Sequence, residues 1–307
     1  MNLRLLPLAI VWFCSILSGS TALANDADAT GSQRFEKAVY KHAAPAIELP
    51  YRLLKPDAGA KPTPTGKDVA DKALAAKPPA DKPTGDKPEA EKLATESAPA
   101  APAKFPLIVF LHGDNQCGND NEAQLRGCGE FGQAKLREKY PCFVLAPQCP
   151  KGQSWASAPV NPAPWRQAAE PTAPLAAALA LAEKMIAEQP IDPDRVYLLG
   201  AEMGGFGAWE MLARKPELFA AAIPVAGDAD SRKVRAYKKV PVWVFHGARD
   251  PEVSISRVRS HLSELRKVNP DVEFTEFEDK AHAILPKVMA HKELLPWLFE
   301  QKRGAKP

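Results

Sequence analysis

Residues 196–212 read Val-Tyr-Leu-Leu-Gly-Ala-Glu-Met-Gly-Gly-Phe-Gly-Ala-Trp-Glu-Met-Leu. The hydrophobic run Val196–Leu199 predicts a buried strand, and the spacing from Phe206 to Leu212 predicts a helix. Gly200, Gly204 and Gly205 frame the turn between them, because only small residues tolerate so close an approach of helix and strand. The tip of such a turn is where a strand-to-helix elbow presents a nucleophile, ordinarily a serine. Here the tip is Glu202. The chemistry open to this site is therefore set by a carboxylate in a frame built for an alcohol.

Other motifs line up around it in chain order. Leu107-Ile108-Val109-Phe110-Leu111-His112-Gly113, Phe143-Val144-Leu145-Ala146-Pro147 and Val242-Trp243-Val244-Phe245-His246-Gly247 are strand-like runs, the last leading to Asp250, and His282 comes late. In this order the chain resembles the secreted esterase and peptidase-like branch of the α/β-hydrolases, the group of polyhydroxybutyrate depolymerases, feruloyl esterases and carboxylesterases. The resemblance covers roughly residues 35–56 and 105–303. It implies a mostly parallel, doubly wound sheet with helices on both faces. It also implies an oxyanion hole from the backbone amides of Asp114 and Met203, with His282 as base and Asp250 as its acid partner. It says nothing of the substrate.

Each role has a plainer rival. Asp250 follows a strand and could cap a turn, with Glu252 the reserve acid, and His282 could be a surface histidine. His246 reads as structural, and His42, His261 and His291 have no motif around them. No serine replaces the missing one: Ser154, Ser157, Ser231, Ser254, Ser256, Ser260 and Ser263 all lack paired glycines.

Electrostatics ranks the readings of Glu202. At a helix amino end, facing two amides and an imidazole, its carboxylate is expected to be ionised. His282 then lies between Glu202 and Asp250 and is held as imidazolium, which is no base. The first reading is a hydrolase fold that keeps its pocket for binding, with a Glu202–His282 ion pair in place of catalysis. The second keeps catalysis with Glu202 as nucleophile, as aspartate-based relatives of the fold do. A third, Glu202, Asp250 and His282 as ligands of a divalent metal, has no known ligand spacing behind it. A cysteine nucleophile, Cys117 or Cys149 borrowing His282, is a further alternative. No cofactor is expected.

The elements that must position these groups alternate after residue 105 as strand and helix, the pattern of a parallel sheet covered on both faces. Leu49–Leu54 and Val272–Phe277 read as further strands, Pro174–Gln189, Ser254–Val268 and Leu294–Gln301 as helices, and Ile191–Arg195 as a turn. One such domain is expected over 35–303, after a tail at 25–34.

Two segments stand apart. Residues 1–24, with Arg4, the apolar run Leu5–Leu17 and Ala22-Leu23-Ala24, read as a secretory signal cleaved after Ala24, hence a secreted or periplasmic protein. Residues 57–104 are rich in Ala, Lys and Pro and lack aromatics, so they read as a disordered insertion that serves as a spacer or an envelope tether. The net charge of +3 is small and mixed along the chain, which argues against nucleic acid. An ester, polymer or carbohydrate ligand is compatible with the resemblance. The non-enzyme alternative is a cell-wall or carbohydrate binding module, for which Trp155, Trp165 and Trp209 could offer stacking surface, although Trp209 on the elbow helix reads as core and Trp155 and Trp165 could form a lid or pack down.

Beyond residue 24 lie Cys117, Cys128, Cys142 and Cys149. Cys142 and Cys149 flank a strand, so they would stand roughly 20 Å apart and cannot pair. Cys117 with Cys128 is the favoured disulfide, with Cys149 a competitor and all four as thiols the alternative.

Overall fold

The computed structural model describes residues 31–64, 103–157 and 165–304. The signal segment, most of the expected insertion and the stretch 158–164 lie outside the described residues. Residues 57–64, which open that insertion, lie on the domain: Thr63 donates to Lys139 O, and its own carbonyl accepts from Arg195.

Eight strands form one sheet: β1 (Glu36–Ala43), β2 (Ala46–Leu54), β3 (Phe105–Leu111), β4 (Phe143–Pro147), β5 (Ile191–Ala201), β6 (Ala221–Val225), β7 (Trp243–Gly247) and β8 (Glu273–Phe277). Their order is β1-β2-β4-β3-β5-β6-β7-β8. The hairpin β1–β2 and the β2–β4 pair are antiparallel, and every later pair is parallel.

Strand β3 is buried along its whole length, as a central strand covered on both faces must be. Its side chains alternate between two core layers. Leu107, Val109 and Leu111 pack with helices α2 (Ala173–Glu188), α3 (Met203–Arg214) and α4 (Ile255–Arg266). Ile108 and Phe110 pack on the other face with α5 (Leu285–Met289) and α6 (Leu294–Glu300), where Leu136 of α1 (Ala134–Lys139) also lies. Thr172 starts α2 by accepting a hydrogen bond from Leu175 N, with Pro174 in the first turn.

The turn expected at Ile191–Arg195 is instead part of β5. Ile191 pairs with Phe105 and Val196 with Leu107, so β5 spends five residues where β3 spends two, and the sheet absorbs the excess as a bulge. Asp192 holds that bulge by accepting from Asp194 N and from the Arg195 guanidinium.

Strands β3, β5, β7 and β8 run parallel, so the chain leaves all four at the same edge of the sheet. That edge carries the loops that begin with His112, Glu202, Ala248 and Glu278. Ligands of open α/β sheets bind at such an edge.

Candidate active site

At the end of β5 the backbone turns at Glu202 with φ 56° and ψ −117°. Positive φ costs a non-glycine residue of order 1–3 kcal/mol and persists only where the surroundings impose it. Here they do. Glu202 N donates to Val225 O at 2.9 Å, and Glu202 O accepts from Gly205 N at 2.8 Å as α3 begins. A Cβ on Gly204 would run into Leu111 O, so the elbow helix sits directly on β3.

The loop after β3 is shaped by His112. Its Nδ1 lies 2.6 Å from Gly113 O, its Nε2 accepts from Cys149 N at 2.9 Å, and its carbonyl accepts from Trp155 Nε1 at 3.1 Å. Burial lowers its pKa to about 4, so the ring is neutral, with the proton on Nδ1. This neutral imidazole fixes the Gly113 peptide, and with it the amide of Asp114. The sequence offered only a histidine before a glycine, with no sign that both ring nitrogens are spent on backbone.

Asp250 and His282 meet. His282 Nδ1 lies 2.7 Å from Asp250 Oδ2, and the Asp250 side chain is fully buried. Two bonds join their loops, Ala248 N to Phe277 O and Arg249 N to Lys280 O, each 3.0 Å. Asp250 also shapes a local turn, since its Oδ1 accepts from Glu252 N and Val253 N. His246 adds a brace: its Nε2 lies 2.8 Å from Val253 O and 3.3 Å from Asp250 Oδ2.

Burial of His282 opposes its protonation, but the Asp250 hydrogen bond and the charges of Asp250, Glu252 and Glu202 outweigh it and raise its pKa. For Asp250 burial likewise works upward and is outweighed, chiefly by His282 and the two amides, so its carboxyl titrates below the usual range.

Glu202 departs from two expectations. Its pKa is raised rather than held low, because burial outweighs the attraction of His282, with Glu252, Asp114 and Asp250 adding repulsion. Among the described residues its carboxylate forms neither a hydrogen bond nor an ion pair, and His282 pairs instead with Asp250 and with Glu252, whose Oε2 is 3.7 Å from Nε2. The side chain turns toward the oxyanion loop: a Cβ on Gly113 would strike Glu202 Oε2 and lie 2.9 Å from its Cδ. The helix end does not fix the charge of Glu202, because its carboxylate lies against Gly113 and accepts no amide hydrogen. The backbone amides of Asp114 and Met203, the implied oxyanion donors, have no acceptor among the described loop and turn hydrogen bonds.

Three further readings meet the structure. Glu202, Asp250 and His282 are not grouped as metal ligands, and no other His, Cys, Asp or Glu triple among the described residues is. Trp155, Trp165 and Trp209 are all core residues, so they offer a sugar no stacking face. All four described cysteines are free. Cys128 lies in the α5–α6 core layer, whereas Cys117 packs against the opposite layer, as Cys149 does, so Cys117 and Cys128 are not paired. A cavity of about 900 Å³ is lined by residues including Arg52, Arg126 and Glu130 but by none of the three site residues.

Comparison with known proteins bears on the fold that carries this site. Residues 143–292 match the Dienelactone hydrolase family. NocK, an esterase by name from Nocardia uniformis subsp. tsuyamanensis, is 29% identical over 160 residues, 52% of this chain and 44% of that protein. Poly(3-hydroxyalkanoate) depolymerase C of Paucimonas lemoignei is 33% identical over 129 residues, 41% of this chain and 28% of that one. The chain thus spans less than half the length of either relative. Among solved structures, a thermostable esterase superposes with a TM-score of 0.69 at 31% identity, covering 89% of this chain and 64% of that one. A Pyrococcus furiosus esterase, at 13% identity and a TM-score of 0.54, shares the fold. By sheet order, elbow and likeness together, the chain has the α/β-hydrolase fold and is similar to that fold's esterase-like branch.

Proposed function

We propose that this protein is an exported esterase-type scaffold in which serine-type ester hydrolysis is absent or very weak, and which retains a site for an ester-bearing or carbohydrate ligand. One observation carries the reading: the Glu202 carboxylate lies against Gly113, in the space a tetrahedral intermediate would need beside the Asp114 amide. The Asp250 hydrogen bond and the neighbouring carboxylates raise the pKa of His282, so its protonated form persists to higher pH than that of a free histidine.

The reading is tested on short p-nitrophenyl esters. Wild type should turn over at background rate, and Glu202→Ser should gain hydrolysis, because Asp250 and His282 are already hydrogen-bonded. Wild-type turnover that disappears in Glu202→Ala would overturn it.

A second reading rests on the preserved Asp250–His282 hydrogen bond, which binding alone does not require. In it the Glu202 carboxylate attacks the ester, His282 protonates the leaving alcohol, and a mixed anhydride forms. Hydroxylamine would trap that anhydride as a hydroxamate, found on Glu202 by peptide mass spectrometry. Export rests on the composition of residues 1–24 and envelope attachment on that of 57–104; a mature amino terminus at Asn25 would support the first.

A further inference from the structure

Two cysteines that this chemistry does not use lie side by side next to the oxyanion loop. Cys117 ends the short helical turn Asp114–Gln116, and Cys149 follows β4 by two residues. The two segments are laced together: Gly118 N donates to Cys149 O at 2.9 Å, and Gln148 Nε2 donates to Gln116 O at 3.1 Å. Cys149 also donates its amide to His112 Nε2, so it braces the residue that orients Gly113.

The two side chains leave these laced segments as neighbours, with the Cys117 thiol donating weakly to Gln153 O at 3.9 Å. Their interaction lowers the pKa of Cys117 and, with burial, raises that of Cys149. Cys149 is fully buried, while Cys117 is partly open to solvent. One thiol is therefore reachable and activated, and its neighbour is shielded and placed to resolve a mixed disulfide. Cys128 and Cys142 are built differently. Each is buried in the opposite core layer, and burial pushes Cys142 up to about 12 and Cys128 higher. Buried thiols of that kind are inert.

We propose that Cys117 and Cys149 form a dithiol–disulfide site whose oxidation bolts the Asp114-bearing loop to the end of β4. The oxidant is a small or protein disulfide of the glutathione type. Cys117 thiolate attacks one of its sulfur atoms, forming a mixed disulfide and expelling one thiolate. Cys149 then loses its proton, attacks the Cys117 sulfur and expels the second thiolate. Two cysteine thiols lose two electrons, and the oxidant's disulfide takes them up with two protons as two thiols. The bond closes a loop of roughly 30 residues, a length at which a disulfide restricts the unfolded chain appreciably. The inference is independent of whether Glu202 is catalytic.

The experiment incubates the folded full-length protein with oxidised glutathione, quenches with acid, alkylates with N-ethylmaleimide and maps peptides without reduction. The expected result is a Cys117–Cys149 cross-link, with Cys128 and Cys142 alkylated only after denaturation and a melting temperature about 5 °C or more above that of the reduced protein. In Cys149→Ser, Cys117 should retain a bound glutathione. A wild-type map with Cys117 and Cys149 both alkylated, or with Cys117 joined to Cys128, overturns the proposal. The wild-type map needs no variant to fold.

Discussion

The ring edge of His282 that would serve a nucleophile lies 3.7 Å from Glu252 Oε2 and beyond ion-pair reach of Glu202. The imidazole is thus flanked by Asp250 on Nδ1 and Glu252 on Nε2, two carboxylates from the same loop after β7. Glu252 is mostly exposed, so its hold on the ring is screened by water and by salt. It still favours the protonated form, with burial opposing it and Asp250 contributing more.

That arrangement predicts a pH profile. In Glu202→Ser, hydrolysis requires neutral His282, so kcat/KM should rise with pH through a pKa above the ordinary histidine value. Adding Glu252→Gln removes one charge that favours imidazolium, so the rising limb should move to lower pH. Profiles on a short p-nitrophenyl ester measure both. An unmoved limb in the double variant would show that Glu252 does not act on the ring.

The seat of Glu202 can be read from stability. Gly113 has φ −77°, which alanine adopts without strain, so the cost of Gly113→Ala comes from what the new methyl meets. It meets the carboxylate end of Glu202, a flexible group that moves only by leaving its place against the loop. Gly113→Ala should therefore cost about 1 kcal/mol in wild type and much less in Glu202→Ala, a coupling of the size expected for touching residues. Urea denaturation of the four proteins measures it. Equal cost in both backgrounds would remove Glu202 from that position and, with it, the main support for the inactive reading.

The fold was legible where one residue pattern had one physical meaning. Wholly apolar runs such as Phe105–Leu111 and Phe143–Pro147 suit only strands buried on both faces. The glycines around Glu202 likewise admit little but a close helix–strand crossing. Strand β6, Ala-Ala-Ile-Pro-Val, went unread, because its small residues and proline carry no strand signal and its place comes from Leu198 and its neighbours on β5. The edge strand β1 was missed for the opposite reason: it is largely exposed, and the hairpin partner β2 makes it a strand.

At the site, side-chain direction was not legible. Glu202 lies at the tip of the elbow as expected, yet which way its carboxylate swings depends on the shape of the Gly113 peptide. That shape is set by His112 bonds to residues 113 and 149, far apart in sequence. The cysteine pairing went wrong for a related reason. Cys117 and Cys128 share a loop, but their side chains pack into different core layers.

Buried neutral histidines predict how the fold responds to acid. His261 is held near a pKa of 4 by burial, with Asp230 opposing only weakly, and it sits between Ser231 Oγ at 3.2 Å and Tyr237 OH at 3.3 Å. Its folded pKa lies below the unfolded value of 6.5, so below that pH the unfolded chain binds the proton more readily. Stability should fall as pH drops through 6.5 and level off below about 4. Between pH 7 and 5 the loss is about 2 kcal/mol for one such histidine, and His112, also held near 4, should add a similar amount. Replacing His261 by Gln should lower stability at pH 7 through lost packing against Trp209, yet flatten the pH dependence by about 2 kcal/mol over that interval. Urea midpoints at pH 7, 6 and 5 for wild type and His261→Gln decide the matter, and parallel curves for the two proteins would mean that His261 is not held neutral in the folded state.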